Sequence, residues 1–388
     1  DAARSYRVGS AWHFENKMGP LIHPPEGDLK RAFSKLEPGE TWILKPENID
    51  GNPHMWTPGI KSGVSPGSFT HTTEFFGPVL AVMCANDLSH AVELVNQTGY
   101  GLTSGLESLD RREQKKWKEG VRAGNLYINR GTTGAIVLRQ PFGGMGKSAI
   151  GAGIKAGGPN YVAQFMNFED ITYPKAGVVK NDYALLRIAQ EWNQKLNWSG
   201  FKDFKEDIYK TVRAVKSYLY NAEQEFFPEK DYFHLRGQDN ILRYIPAGKV
   251  AVRLHEDDPL FDLLARIAAA KISRCELLVS IPVELDNPVA SFLDCTEGKT
   301  FIQNTPVMRQ NDSALAEMTG KIQRIRYAAP ERVSPEILNH AANTGFYIAR
   351  SRVVMEGRIE LLHYFQEQSI CNSYHRYGNL GERGMTAS

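Results

Sequence analysis

The 388-residue chain has only four cysteines, Cys84, Cys275, Cys295 and Cys371, and no two of them form a C-x-x-C pair. That spacing argues against a cysteine-built metal site and a disulfide framework, so no metal is expected. It suits a reducing, cytoplasmic environment. Long apolar runs are missing too. The longest candidate, 260–272, is interrupted by Asp262, Arg266 and Lys271, whereas a membrane-spanning helix needs ~20 apolar residues; no transmembrane segment is expected. Charge of one sign is absent as well: 46 Lys and Arg stand against 44 Asp and Glu, for a formal net charge of +2. A nucleic-acid partner would need a concentrated basic face, and the cations here are scattered. The chain opens Asp1-Ala2-Ala3-Arg4 without an initiator Met, which raises the expectation of a piece of a longer polypeptide.

What is present is ordinary globular material, with 42% apolar and 23% charged residues, over a length that suits two or three domains. Pro78–Met83 has strand character after a Gly-Pro turn. Asn86 or Asp87 can cap a helix whose apolar face is Leu88, Ala91, Val92 and Val95, ended by Gly99 and Gly101. A charged helix is expected over 110–119, closed by Gly120, then a strand at Asn125–Asn129. Helices alternating with strands imply an α/β fold with a largely parallel sheet. Between 171 and 230 the composition shifts to Lys, Asp, Glu and aromatics (Trp192, Trp198, Phe201, Tyr209, Tyr218), read as a helical connector packed on its neighbours. From 231 a strand at Lys249–Leu254, a buried helix at Pro259–Lys271 and a strand at Glu276–Ile281 make a β-α-β unit.

Four motifs in order carry chemistry: Glu74-Phe75-Phe76-Gly77-Pro78, Tyr100-Gly101-Leu102-Thr103, Gly124 to Asn129, and Pro141-Phe142-Gly143-Gly144. Together they resemble the signature segments of the aldehyde dehydrogenase superfamily. The resemblance implies NAD as cofactor. A carboxylate at Glu74 can accept from both ribose hydroxyls of the nicotinamide nucleoside, and Phe76 can pack against it. The loop Thr132-Thr133-Gly134-Ala135-Ile136-Val137 resembles the aldehyde anchor loop of the pyrroline-5-carboxylate (glutamate semialdehyde) dehydrogenases. There, consecutive N–H groups hold the substrate carboxylate; Gly134, without a Cβ, admits an anion closely. Thr133, Gly134 and Ala135 are therefore the expected carboxylate contacts, with Phe142 flanking the aliphatic part of the substrate. Ala156-Gly157-Gly158-Pro159-Asn160-Tyr161 resembles a further segment of the same subfamily.

Aldehyde oxidation by this chemistry needs a thiolate, oxyanion donors and a base. In the family the nucleophilic Cys lies about a hundred residues before the Glu74 motif, and none of the 73 residues preceding Glu74 is Cys. The resemblance thus places the nucleophile upstream of residue 1, and the opening 1–9 resembles the helix end that follows it. Cys84 is read as a small buried hydrophobe ending a strand, and no residue of this chain is assigned a catalytic role.

The later part resembles a degraded second copy. Gly237 to Gly248 resembles the entry to an aldehyde dehydrogenase cofactor domain. Three functional segments of that domain then read as Glu256-Asp257-Asp258-Pro259, Ile281-Pro282-Val283-Glu284 and Tyr327-Ala328-Ala329-Pro330. They lose an oxyanion donor, a ribose-binding Lys and a phosphate-admitting Gly. A Rossmann-like domain that has shed its ligand is implied. The arrangement is similar to the longer members of the proline utilization A family, in which Gln366–Ile370 and Tyr377–Leu380 would belong to a C-terminal covering segment. His375, Arg376 and Tyr377 are read as solvated or interface residues. The domain boundaries expected are 1–170 for the C-terminal part of the catalytic domain, 171–230 for the connector and 231–388 for the degenerate domain. The resemblance further implies glutamate semialdehyde as substrate, an upstream proline dehydrogenase portion carrying FAD, and a homo-oligomer. A non-catalytic covering module, or an enzyme for another semialdehyde, stays open as an alternative.

Overall fold

The computed structural model describes residues 1–175, 177–179, 183–196 and 203–375. Trp198 and Phe201 of the expected connector, and Arg376, Tyr377 and the rest of 377–380, lie outside the described residues. Two compact units are present, Asp1–Gly101 with Ser108–Arg122, and Leu102–Glu107 with Ala123–Ser388. The expected boundaries at 170 and 230 both fall inside the second unit.

The first unit is built on helix α1 (Gly27–Ser34) and strands β1 (Thr41–Leu44), β2 (Gly59–Ser62) and β3 (Val79–Ala81). β1 pairs antiparallel with β2, and β2 parallel with β3. Helices α2 (Leu88–Gln97) and α3 (Arg111–Gly120) follow the apolar spacing of the sequence. Their N-caps are Asp87, whose carboxylate accepts from the His90 N–H, and Asp110, which accepts from that of Arg112. The opening residues form a 3-10 turn at Ala3–Ser5 and a two-residue strand, Arg7–Val8, paired with Asn16–Met18. The expected strand 78–83 is shorter than read: after the Val82 N–H donates to Lys61 O at 2.8 Å, the chain leaves the sheet. Cys84 consequently lies exposed in the loop before α2, so the reading of it as a buried hydrophobe is corrected.

The second unit contains β4 (Thr103–Leu106), β5 (Asn125–Ile128), helices α4 (Ala184–Gln194) and α5 (Lys205–Asn221), and strands β6 (Lys230–Asp231), β7 (Gln238–Pro246) and β8 (Lys249–Arg253). Helix α6 (Leu260–Ile272) follows, then β9 (Glu276–Ile281), β10 (Val307–Arg309), β11 (Arg324–Arg326), β12 (Ile348–Ala349) and β13 (Phe365–Ser373). One sheet runs β10-β9-β8-β11-β12 with all its pairs parallel. That is the strand order of a doubly wound nucleotide-binding half, with its switch point between β8 and β11. α6 is apolar nearly all round, as a helix buried on the sheet must be. Leu264 and Ile267 of α6 share one core with Val250 and Val252 of β8 and with Trp192, Val215, Tyr218 and Leu219 of α4 and α5. The described part of 184–226 is therefore mainly packed helix, with a turn at 195–196.

The other sheet runs β6-β7-β13-β5-β4. β13 pairs antiparallel with β7 over nine residues and parallel with β5, so a strand near the C-terminus occupies the middle of the sheet. Among the described residues no helix is long and apolar enough to cross a membrane.

Candidate functional site

In the first unit the Glu74 motif forms the turn that enters β3. Phe75 packs on Phe69 with ring centroids 5.5 Å apart, and the Arg31 guanidinium caps the Phe69 ring at 3.9 Å. Gly77 is pressed against Leu29, where a Cβ would come within 2.4 Å of Leu29 Cδ1, and its carbonyl accepts from the Val79 N–H at 2.8 Å. With Phe75 drawn inward and Gly77 pinned, the chain has one residue in which to reverse. Phe76 does so at φ +50°, a left-handed conformation that is an outlier for a bulky side chain, and its ring is 85% exposed. Holding it there costs about 1–2 kcal/mol, stored by the packing on either side. Glu74 is exposed beside it, without an ion-pair partner among the described residues. A cleft of about 420 Å³ is lined by Thr70, Thr73, Glu74, Phe75, Phe76, Gly77, Val79 and Ala81. An unpaired carboxylate beside an aromatic face held out to solvent fits the ribose and nicotinamide side of a dinucleotide.

The expected anchor loop lies in the second unit and leaves β5 through Asn129, itself at φ +57°. Gly134 has φ +73°, a conformation glycine adopts freely, and a Cβ there would meet nothing within 4 Å. Thr133 and Gly134 are exposed and Ala135 half-buried; their three N–H groups have no acceptor among the described residues. At the base of the loop Gln140 is buried. Its Oε1 accepts from the Ile136 N–H at 3.1 Å, and its Nε2 donates to Asn240 Oδ1 at 2.9 Å and Cys371 Sγ at 3.0 Å. Phe142 is bridged to Ala156 by a reciprocal pair of 3.0 Å hydrogen bonds that leaves its ring 38% exposed.

One residue that the sequence did not single out organises this loop. Arg130 folds back on it, donating to the carbonyls of Gly131, Thr133 and Gly134. Nothing in the spacing of the motif signals that contact, because it depends on the positive φ at Asn129. Lys155, next to the Ala156 that pairs with Phe142, is buried and was not singled out by the sequence either. Its ammonium donates to Gly143 O and to Asn125 Oδ1, and its backbone N–H donates to Glu367 Oε2 at 2.7 Å. Burial pulls Lys155 down to about 7, against the opposing pull of the Glu367 carboxylate. The adjoining Asn160 is buried as well, donating to Tyr244 OH at 2.8 Å and Glu367 Oε1 at 2.6 Å.

The switch point of the parallel sheet, where open α/β sheets take their ligands, is bridged by the chain's own arginines. Arg266, from α6, donates to Arg253 O at 2.7 Å and Arg326 O at 3.2 Å, the carbonyls closing β8 and β11. It also forms a fully buried ion pair with Asp258 at 2.6 Å. Asp257 is paired with Arg332, which places one member of the group of half-buried His255 and exposed Glu256 and Asp257 in an ion pair. Ile281 and Ala329 are buried, and Arg326 is held by Glu360 at 2.8–3.1 Å. Gln366–Ile370 lie within β13, and the exposed His375 donates its N–H to Gly237 O at 3.1 Å.

The aldehyde dehydrogenase family model matches residues 1–171. The 1-pyrroline-5-carboxylate dehydrogenase of Bacillus subtilis (strain 168) is 36% identical over 166 residues, 42% of this chain and 32% of that protein. The enzyme of the same name from Geobacillus kaustophilus (strain HTA426) is 40% identical over 173 residues, 44% of this chain and 33% of that one. A solved structure of proline utilization A from Corynebacterium freiburgense superimposes with a TM-score of 0.76 at 36% identity, covering 97% of this chain and 34% of that one. The chain thus spans about a third of the length of the proteins it matches. The aldehyde dehydrogenase family model thus covers the residues that carry all four motifs, and over 97% of its length the chain is similar to a proline utilization A.

Proposed function

We propose that this chain is part of an NAD-dependent L-glutamate γ-semialdehyde (1-pyrroline-5-carboxylate) dehydrogenase of proline catabolism, which oxidises the aldehyde to glutamate. The observation that carries the substrate assignment is the Thr133-Gly134-Ala135 loop, with its open N–H groups and with Gly134 at φ +73°. A carboxylate accepts from consecutive N–H groups at such a turn, and Phe142 flanks the methylenes. Glu74 holds the ribose and Phe76 packs on the nucleoside. NAD, when bound, supplies the hydride acceptor. The thiolate and base lie outside this chain, on upstream segments of the same polypeptide that also carry a proline dehydrogenase portion with FAD, the whole being a cytoplasmic homo-oligomer. The Rossmann-like sheet of the second unit serves as structure and takes no NAD, because Arg266 and Asp258 occupy its switch point.

The test compares NADH formation from glutamate semialdehyde by the 388-residue chain and by the full-length polypeptide. Activity is expected in the second alone. Turnover by the 388-residue chain would place the thiolate within it and overturn the reading.

A further inference from the structure

We propose that Arg130 is a positioning residue for the anchor loop, and that it sets a preference for aldehydes that carry a carboxylate; this rests on the anchor-loop reading above. Its guanidinium makes four hydrogen bonds. Nε donates to Gly131 O at 3.3 Å, Nη2 donates to Thr133 O at 3.0 Å and Gly134 O at 3.2 Å, and Nη1 donates to Cys371 Sγ at 3.3 Å. Its plane stands over the Tyr127 ring at 4.9 Å. Tyr127 belongs to β5 and Cys371 to β13, two paired strands in which both residues are buried, so the fork is fixed at its root before it reaches the loop.

The consequence follows from peptide geometry. A trans peptide unit is planar, with its C=O and the following N–H pointing in opposite directions. The carbonyl of Thr133 shares its unit with the N–H of Gly134, and that of Gly134 with the N–H of Ala135. By drawing both carbonyls to one side, Arg130 turns both N–H groups to the other. Those two groups are among the three expected to meet the substrate carboxylate. The guanidinium also polarises the same peptide units, which strengthens their N–H groups as donors. Its positive charge behind the loop favours an anion in front.

Lysine cannot reproduce this. An ammonium is a single point with three donors, whereas the guanidinium fork has five N–H groups spread over a plane. Arg130→Lys therefore separates charge from geometry, and Arg130→Gln supplies a compact variant that lacks the charge. Arg130 is half-buried at the loop rather than in a core, so these replacements leave no large cavity.

The experiment measures steady-state constants of the full-length enzyme for glutamate semialdehyde and for propanal, which has no carboxylate. Arg130→Gln should raise KM for the semialdehyde by about tenfold or more, with kcat and the propanal constants changed less than about twofold. Arg130→Lys should stay several-fold above the wild-type KM. Equal losses for both aldehydes, or a wild-type KM in Arg130→Lys, would overturn the proposal. Gly134→Leu tells the two readings apart. If Gly134→Leu destroys the preference for the carboxylate while Arg130→Gln does not, the anchor loop stands and Arg130 has no part in it. If Gly134→Leu also leaves the preference intact, the loop is not the substrate site and both readings fall.

Discussion

The Glu74 turn and the β8–β11 switch point are two places whose local geometry suits a nucleotide, and they have been built in opposite ways. At Glu74 the chain spends conformational energy to keep groups out: Phe76 is strained at φ +50° and 85% exposed, and its neighbouring carboxylate has no ion-pair partner among the described residues. At the switch point the Arg266–Asp258 pair is turned in. Arg266 and Asp258 are both fully buried, and Arg266 donates to Asp258 Oδ2 and to the two strand-end carbonyls. Polar groups held open at a strained turn are disposed toward an outside partner, whereas polar groups paired inside a core are disposed toward stability alone. Strand order by itself does not separate the two cases, since the filled site keeps the full 3-2-1-4-5 arrangement.

This contrast can be broken most directly by counting nucleotides. Equilibrium titration of the full-length enzyme should find one NAD per polypeptide; a second site of similar affinity would mean that the arginine plug yields to ligand. Next in size is Asp258→Ala. Removing one partner of a buried ion pair leaves Arg266 uncompensated and should cost about 3–5 kcal/mol. The thermal midpoint should fall while KM for NAD in the surviving folded enzyme stays put. Denaturation showing less than about 1 kcal/mol of loss would mean that the pair is dispensable.

Glu74 should behave in the reverse manner. Glu74→Gln should lower kcat/KM for NAD by about tenfold, since a hydrogen bond to a charged group contributes roughly 1.5–3 kcal/mol, and leave the thermal midpoint unchanged. Phe76→Gly sharpens the point. It relieves the positive φ, so stability should rise or hold while NAD is placed less well; a marked loss of stability would show that the ring is structural.

Much of this was legible in the residues, and the parts that were not share a physical cause. Helix α2 with its Asp87 cap, helix α3, and the β8-α6-β9 unit lie close to where local spacing placed them, because caps and periodicity act over a few residues. The motif positions were readable as a resemblance. The exposure of Cys84 was not, since it depends on where β3 stops pairing with β2. Nor was Arg130, whose partners are backbone carbonyls and a thiol 241 residues away. The Arg266–Asp258 pair spans only eight residues, yet its meaning depends on β11 arriving beside β8.

The smallest effect concerns Lys155, held at about 7 by burial. The unfolded chain keeps that amine protonated up to its ordinary value near 10.5. Between those two values the unfolded state binds more protons, so this group makes stability rise with pH, by up to about 1.4 kcal/mol per unit, and contributes no slope below about 7. Lys155→Met should remove that slope between pH 7.5 and 9. Parallel stability curves for the two proteins would show that the amine is not held neutral.

The position of β13 also governs the order in which the sheet can be assembled during synthesis. Gln368 donates to Ala123 O at 2.8 Å across 245 residues, and residues 369–372 of β13 lie between β7 and β5. Until the ribosome has released residues 365–373, β5 has β4 on one side and an unpaired edge on the other. Contacts of such long range form slowly, and an open strand edge is a template for pairing with other chains. The nascent polypeptide must therefore carry an incomplete sheet while the residues between β5 and β13 are made, and deletion of β13 would leave that edge exposed for the lifetime of the product.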